Sequence, residues 1–196
     1  MALGFNPLTM IQEFVGEPYA KFLQQCTVQD VLHSLVLLCR RLGEMHAQGV
    51  VHNDLKEDNV TVSGSLHNPV LHVIDLGWAC RLGRVAGDFT LETGQAAAPT
   101  EGFAKDCHWM APEVRARRPV FPSGDVYSLG LLLQKLAADC TQPWLSVPLW
   151  LMGQRCSHED PSCRPSLRQV ALAIAELPGE LLQCQLQEPY HLVAWW

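Results

Sequence analysis

Between Thr27 and Gly49 the apolar residues Val28, Val31, Leu32, Leu35, Cys39, Leu42 and Met45 recur at steps of three and four, the spacing that lines one face of an α-helix. Thr27 followed three residues later by Asp30 has the form of an N-cap, and Gly49 stands where the pattern stops, so one long helix is predicted over the interval. The same spacing returns from Asp125 to Ala138 through Val126, Leu129, Leu132, Leu133 and Leu136. Shorter helices are predicted at Tyr19–Gln25, Leu145–Met152, Ser166–Ala175 and Glu180–Gln187. Strand-like runs are few. Leu8–Val15 reads as a strand broken by Gly16-Glu17-Pro18, and Val50-Val51, Val60–Val62 and Val70–Ile74 read as short β segments, with Ser63-Gly64-Ser65 as the turn between the last two. His52–Asn59 must then be a polar loop between β segments. Asp75–Glu113 has five glycines and two prolines without a sustained period and reads as a long, mobile loop, the kind of segment that carries regulation or substrate contact. This order predicts a mainly α protein with a small β patch, an α+β arrangement.

Composition narrows the class. With 196 residues, 48% hydrophobic and 17% charged, the chain can build one sizeable core, and a disordered chain is excluded. Its net charge of −6, without a basic run, excludes nucleic-acid binding as an expectation, because phosphate contacts need clustered cations. No apolar stretch approaches the roughly 18 residues that span a bilayer, and Met1–Pro7 lacks the form of a secretory signal, so no membrane contact and an intracellular, cytoplasmic location are expected. The eight cysteines contain no Cys-x-x-Cys pair and read as free, mostly buried thiols.

The chemistry lies in the polar loop. His52-Asn53-Asp54-Leu55-Lys56-Glu57-Asp58-Asn59 sets a carboxylate and a carboxamide five residues apart, and Asp75-Leu76-Gly77 follows at the end of an apolar strand. Singly, Asp and Asn are ordinary turn residues. Together, oxygen donors at neighbouring strand ends suit a hard divalent cation, with magnesium the natural choice.

In this light the chain resembles the C-terminal lobe of a eukaryotic-type protein kinase. His52–Asn59 is similar to the catalytic loop H-R-D-L-x-x-x-N, Asp75-Leu76-Gly77 to D-F-G, and Ala111-Pro112-Glu113 to A-P-E. Asp125–Gly130 and Asp160–Pro165 resemble the later D-x-W-S-x-G and D-P-x-x-R-P segments, in family order. The resemblance implies residues 1–17 as the end of an N-terminal lobe and hinge, 18–188 as the C-terminal lobe and 189–196 as a tail. It implies Asp54 and Lys56 as catalytic residues, the first receiving or orienting the substrate hydroxyl proton and the second neutralising charge on the transferred phosphoryl group. Asn59 and Asp75 would hold magnesium against ATP, and the hinge backbone, at Glu13 and Val15, would receive adenine. His52, Gly77, Glu113, Asp125 and Arg164 would be structural: Glu113 and Arg164 as an ion pair, Asp125 as acceptor for backbone N–H groups of the catalytic loop. Tyr127, Trp109 and Met110 read as core. The implied partners are ATP and a protein substrate; oligomeric state stays open.

The chain also departs from the pattern. No glycine-rich loop, V-A-I-K lysine or partner glutamate precedes the hinge, which implies a truncated or partial domain, with turnover by this chain alone not expected. Asn53 replaces the arginine that pairs with a phosphorylated loop, leaving Thr90, Thr93 and Thr100 little leverage on Asp54. Lys105-Asp106 stands where Gly-Thr is usual, so the threonine that contacts the catalytic aspartate is missing. Lys56 favours Ser/Thr over Tyr substrates. A non-catalytic, pseudokinase-like interaction module is the alternative, and a small-molecule phosphotransferase a third reading.

Overall fold

The structure, a computed structural model, describes residues 2–5 and 8–11 by their backbone and residues 14–86 and 107–177 in full. Its strands are β1 (Ala2–Phe5), β2 (Leu8–Ile11), β3 (Glu17–Pro18), β4 (Val50–Val51), β5 (Val60–Ser65), β6 (Asn68–Val73) and β7 (Cys80–Arg81). The helices are α1 (Tyr19–Leu23), α2 (Val28–Ala47), α3 (Pro112–Arg115), α4 (Ser123–Asp139), α5 (Pro143–Cys156) and α6 (Leu167–Ala175). The mainly helical α+β arrangement predicted by the residue pattern is the one observed. The β elements form three small antiparallel sheets, β1–β2, β3–β5–β6 and β4–β7. The expected helix Glu180–Gln187, the tail 189–196 with its boundary at 188, Glu13, the three threonines and Lys105-Asp106 lie outside the described residues.

Helix α2 starts where Thr27 and Asp30 close a capping box: the Thr27 hydroxyl accepts from the Asp30 N–H while the Asp30 carboxylate accepts from the Thr27 N–H. Val31, Leu32, Leu35, Leu38, Cys39 and Leu42 are buried, and the chain turns away at Gly49, whose φ of +74° suits glycine. That buried face packs with α4, α5, α6 and the β5–β6 hairpin in one core. Helices α4 and α5 approach at Gly130 and Gly153. A Cβ on Gly130 would lie 2.6 Å from the Cβ of Cys156 and 2.7 Å from the Gly153 carbonyl oxygen, so the crossing requires residues without side chains. A smaller apolar cluster of Val51, Ala86, Met110, Ala111, Val114 and Val120 lies under the segment leading to α3.

Several boundaries differ from expectation. The first strand run ends at Ile11 and pairs with Ala2–Phe5, which the residue pattern did not flag. The β5–β6 turn is Leu66-His67, not Ser63-Gly64-Ser65, which belongs to β5. Gly64 is there because its φ is +84° and a Cβ would meet the Asn68 carbonyl at 2.6 Å; it marks a close approach within the ladder, the other meaning of a strand glycine. Helix α5 begins at Pro143, since proline fits the first turn, where its missing N–H has no partner to lose. The long loop is interrupted by a 3₁₀ turn at Leu76–Trp78, by β7 and by α3, so Glu113 is helical. The seven described cysteines are free, and burial pushes the Cys26, Cys39 and Cys156 thiols up to about 12.

Candidate active site

The loop between β4 and β5 is hung from α4. Asp125, fully buried, accepts the backbone N–H of His52 at 2.8 Å and of Asn53 at 2.7 Å, and bonds the His46 ring of α2 at 2.8 Å. These bonds fix the backbone just before Asp54. Asn53 sits at φ +66°, a left-handed position that Asn tolerates. Its amide donates to the Val51 and Trp78 carbonyls at 3.2 and 2.9 Å, tying the loop to the end of the turn that follows Asp75. The buried His52 ring donates to the Ile74 carbonyl through Nε2 at 2.9 Å and accepts the Asp54 N–H through Nδ1 at 3.2 Å.

Asp54 is nearly enclosed, its side chain 6% exposed. The Asn59 amide donates to its carbonyl at 2.8 Å and to Oδ2 at 2.9 Å. The Lys56 ammonium lies 3.7 Å from the same Oδ2. Oδ1 accepts the indole N–H of Trp109 at 2.6 Å. With its nitrogen so engaged, Asn59 turns its Oδ1 away from Asp54, and among the described residues no hydrogen bond reaches that oxygen. Ile74 donates to the Asn59 carbonyl at 2.9 Å, which carries the register from β5 to the residue before Asp75. Asp75 is exposed at φ +60°, and its carboxylate accepts the Gly77 N–H at 3.2 Å. Among the described residues it makes no hydrogen bond to Asp54 or Asn59. The structure thus joins Asp54, Lys56 and Asn59 by side-chain contacts and links Asp75 to them through the backbone of Ile74.

Donor chemistry agrees with a hard cation. The amide oxygen of Asn59 and the exposed carboxylate of Asp75 are both oxygen donors, and among the described residues no group of three or more His, Cys, Asp and Glu could hold a metal. A cation here would depend on phosphate and water for most of its shell. The Val15 carbonyl accepts the Thr61 hydroxyl at 3.0 Å.

Arg164 and Glu113 pair end to end, Nη1–Oε1 at 2.5 Å and Nη2–Oε2 at 2.9 Å. Arg164 also donates to the carbonyls of Ser123, His158 and Glu159, and its guanidinium lies 5.0 Å from the Tyr127 ring. The segment entering α3 is thereby bound to both α4 and the turn before α6. Three contacts escaped the sequence reading. Trp109, expected in the core, packs beside the smaller cluster but points its N–H at Asp54. His46 gave no signal beyond its place near the end of an apolar-faced helix. Glu57 pairs with Lys135 of α4, a contact between residues far apart in sequence.

Residues 5–147 match the family model described as protein kinase domain. The ribosomal protein S6 kinase 2 alpha of Gallus gallus is 32% identical over 122 residues, covering 62% of this chain and 14% of that protein. The serine/threonine/tyrosine-protein kinase HT1 of Arabidopsis thaliana is 31% identical over 120 residues, 61% of this chain and 26% of the relative. The serine/threonine-protein kinase PAK 4 of Mus musculus is 27% identical over 148 residues, 76% of this chain and 22% of its own length. The chain therefore spans between 14% and 26% of these relatives. Among the described residues no helix is long and apolar enough to cross a membrane.

Proposed function

Because the chain belongs to the protein kinase family, as the match over residues 5–147 shows, we propose that it supplies the catalytic loop of an enzyme that moves the γ-phosphoryl group of ATP to a serine or threonine hydroxyl of a protein. The observation that carries the reading is the Asp54–Asn59–Lys56 contact set: a carboxylate bonded by an amide at 2.9 Å and approached by an ammonium at 3.7 Å. Asp54 orients the substrate hydroxyl and takes its proton as the oxygen attacks phosphorus, with ADP leaving on the far side. Lys56 places its positive charge beside the phosphoryl oxygens. Asn59 Oδ1 and the Asp75 carboxylate are the groups suited to hold magnesium, which when bound offsets charge on the ATP phosphates. Serine or threonine specificity rests on Lys56, two residues after Asp54, and on the two relatives whose printed names are serine/threonine kinases or include that specificity.

The test is peptide phosphorylation with magnesium and ATP by the protein that carries this chain. Asp54→Asn should lower kcat by about 10²- to 10⁴-fold, the usual worth of a positioned acid or base, with the fold kept. Undiminished phosphorylation by that variant would remove the assignment.

A further inference from the structure

Trp109 lies in the segment that enters α3, and its backbone is fixed from below: the Ser128 hydroxyl of α4 donates to the Trp109 carbonyl at 2.7 Å. From that point the side chain reaches both charged groups of the loop. Its N–H stands 2.6 Å from Asp54 Oδ1. Its ring face lies under the Lys56 ammonium, 4.6 Å from the centroid. One residue thus touches the anion through a donor and the cation through a π face, two features that chemistry can separate. The hydrogen bond to a charged acceptor belongs to the stronger class, and a cation over an indole face is attracted by the ring quadrupole. Asn59 holds Oδ2 of the same carboxylate, so Asp54 is gripped from both oxygens and its rotation is stopped.

We propose that Trp109 is a positioning residue for phosphoryl transfer, its N–H fixing the Asp54 carboxylate and its ring face fixing the Lys56 ammonium. The inference rests on the assignment of Asp54 and Lys56 as the catalytic pair. It gives the chain a replacement for the missing threonine contact, supplied by a side chain three residues further on than the Asp106 position. A carboxylate and an ammonium that must meet one hydroxyl and one phosphoryl group gain from being set by a common rigid plane, since small misplacement of reacting groups is costly in rate.

The experiment uses carbon- and nitrogen-labelled chain in solution and two substitutions. Trp109→Phe keeps a ring face and lacks the donor; Trp109→Leu lacks both. In the first, the Asp54 carboxyl carbon resonance should move while the Lys56 ε-methylene protons keep their ring-shifted position. In the second, both should move. An Asp54 resonance unchanged by Trp109→Phe, or Lys56 protons unchanged by Trp109→Leu, overturns the proposal. Should Trp109→Phe fail to fold, Asp54→Asn reads the same bond from the other side: one of the six indole N–H signals should shift upfield, and six unshifted signals overturn it. In phosphorylation assays, Trp109→Phe should lower kcat by about ten- to a hundredfold with KM for peptide within about twofold, whereas an unchanged kcat rules out positioning. Active Asp54→Asn enzyme with the NMR contact intact would instead sink the assignment of Asp54 as the catalytic residue, and this proposal with it.

Discussion

Asp54 and Asp75 are two aspartates of one candidate site, and they are held in opposite ways. Asp54 is buried, with both oxygens engaged by Trp109, Asn59 and Lys56. Asp75 is exposed, with one backbone N–H from its own turn. A group that must meet a hydroxyl at one angle benefits from fixed dipoles around it before substrate arrives. A group that must bind a hydrated cation needs lone pairs open to solvent. The contrast teaches that the loop anchored to α4 is held by its neighbours before anything binds, whereas the β6 end leaves its carboxylate exposed.

The strongest way to break that contrast is to cut the anchors of the rigid side. Asp125→Ala removes the acceptor of two buried N–H groups and of His46. Arg164→Leu strands a Glu113 side chain that is 11% exposed. Each should lower unfolding stability by about 3 to 5 kcal/mol, because the partners stay buried and unpaired. Urea titration checks both; losses under about 1 kcal/mol for either would mean that solvent reaches these groups freely. Arg164→Lys should recover only a fraction, since lysine lacks the planar fork that meets both carboxylate oxygens and three carbonyls.

These anchors also mark what the residue pattern could and could not disclose. The long helices were legible because burial repeats at helical spacing, and Asp125, Glu113 and Arg164 were legible because their roles attach to short ordered motifs. The β5–β6 turn was misread because Gly64 carries two meanings, turn and close approach, and spacing does not separate them. Trp109 was misread for a related reason: an aromatic beside Met110 and Ala111 looks like core, and its polar edge shows only once the chain folds back on Asp54. The Glu57–Lys135 and His46–Asp125 contacts join residues 78 and 79 positions apart, beyond any local pattern.

Within the rigid side, Asp54→Ala should cost about 1 to 3 kcal/mol, since the Trp109 N–H loses its acceptor and the Asn59 amide loses one of its two. That a candidate catalytic carboxylate stabilises the fold is itself a sharp form of the comparison. Thermal unfolding of the variant against the parent checks it, and a variant more stable than the parent would show Asp54 to be strained by its neighbours.

Asp30, as buried as Asp54 but outside the candidate site, supplies a pH test. Burial raises its carboxyl, but hydrogen bonds from the Thr27 hydroxyl and N–H and from His67 outweigh this and hold it below the usual carboxylate range. A carboxyl depressed in the folded state stabilises above its unfolded value of about 3.9, and the contribution fades as pH falls through the folded value. Asp30→Asn should therefore cost about 1 kcal/mol at neutral pH, the usual worth of a cap, and the gap between variant and parent should close below about pH 4. A gap independent of pH would assign the effect to shape, not charge.

The smallest stability effect belongs to Asp75, and there the comparison is decided. Asn tolerates the left-handed backbone as Asp does, and the exposed side chain leaves no buried partner behind, so Asp75→Asn should shift stability by no more than about 0.5 kcal/mol. Its cost should fall on the ligand instead: magnesium-dependent nucleotide binding should weaken by about tenfold or more, while binding measured without divalent cation stays put. Calorimetric titration with and without magnesium separates the two. If Asp75→Asn unfolds the chain as Asp125→Ala does, the open side is structural after all; if it leaves the magnesium dependence untouched, the cation is held elsewhere and the two aspartates do not divide the work between them.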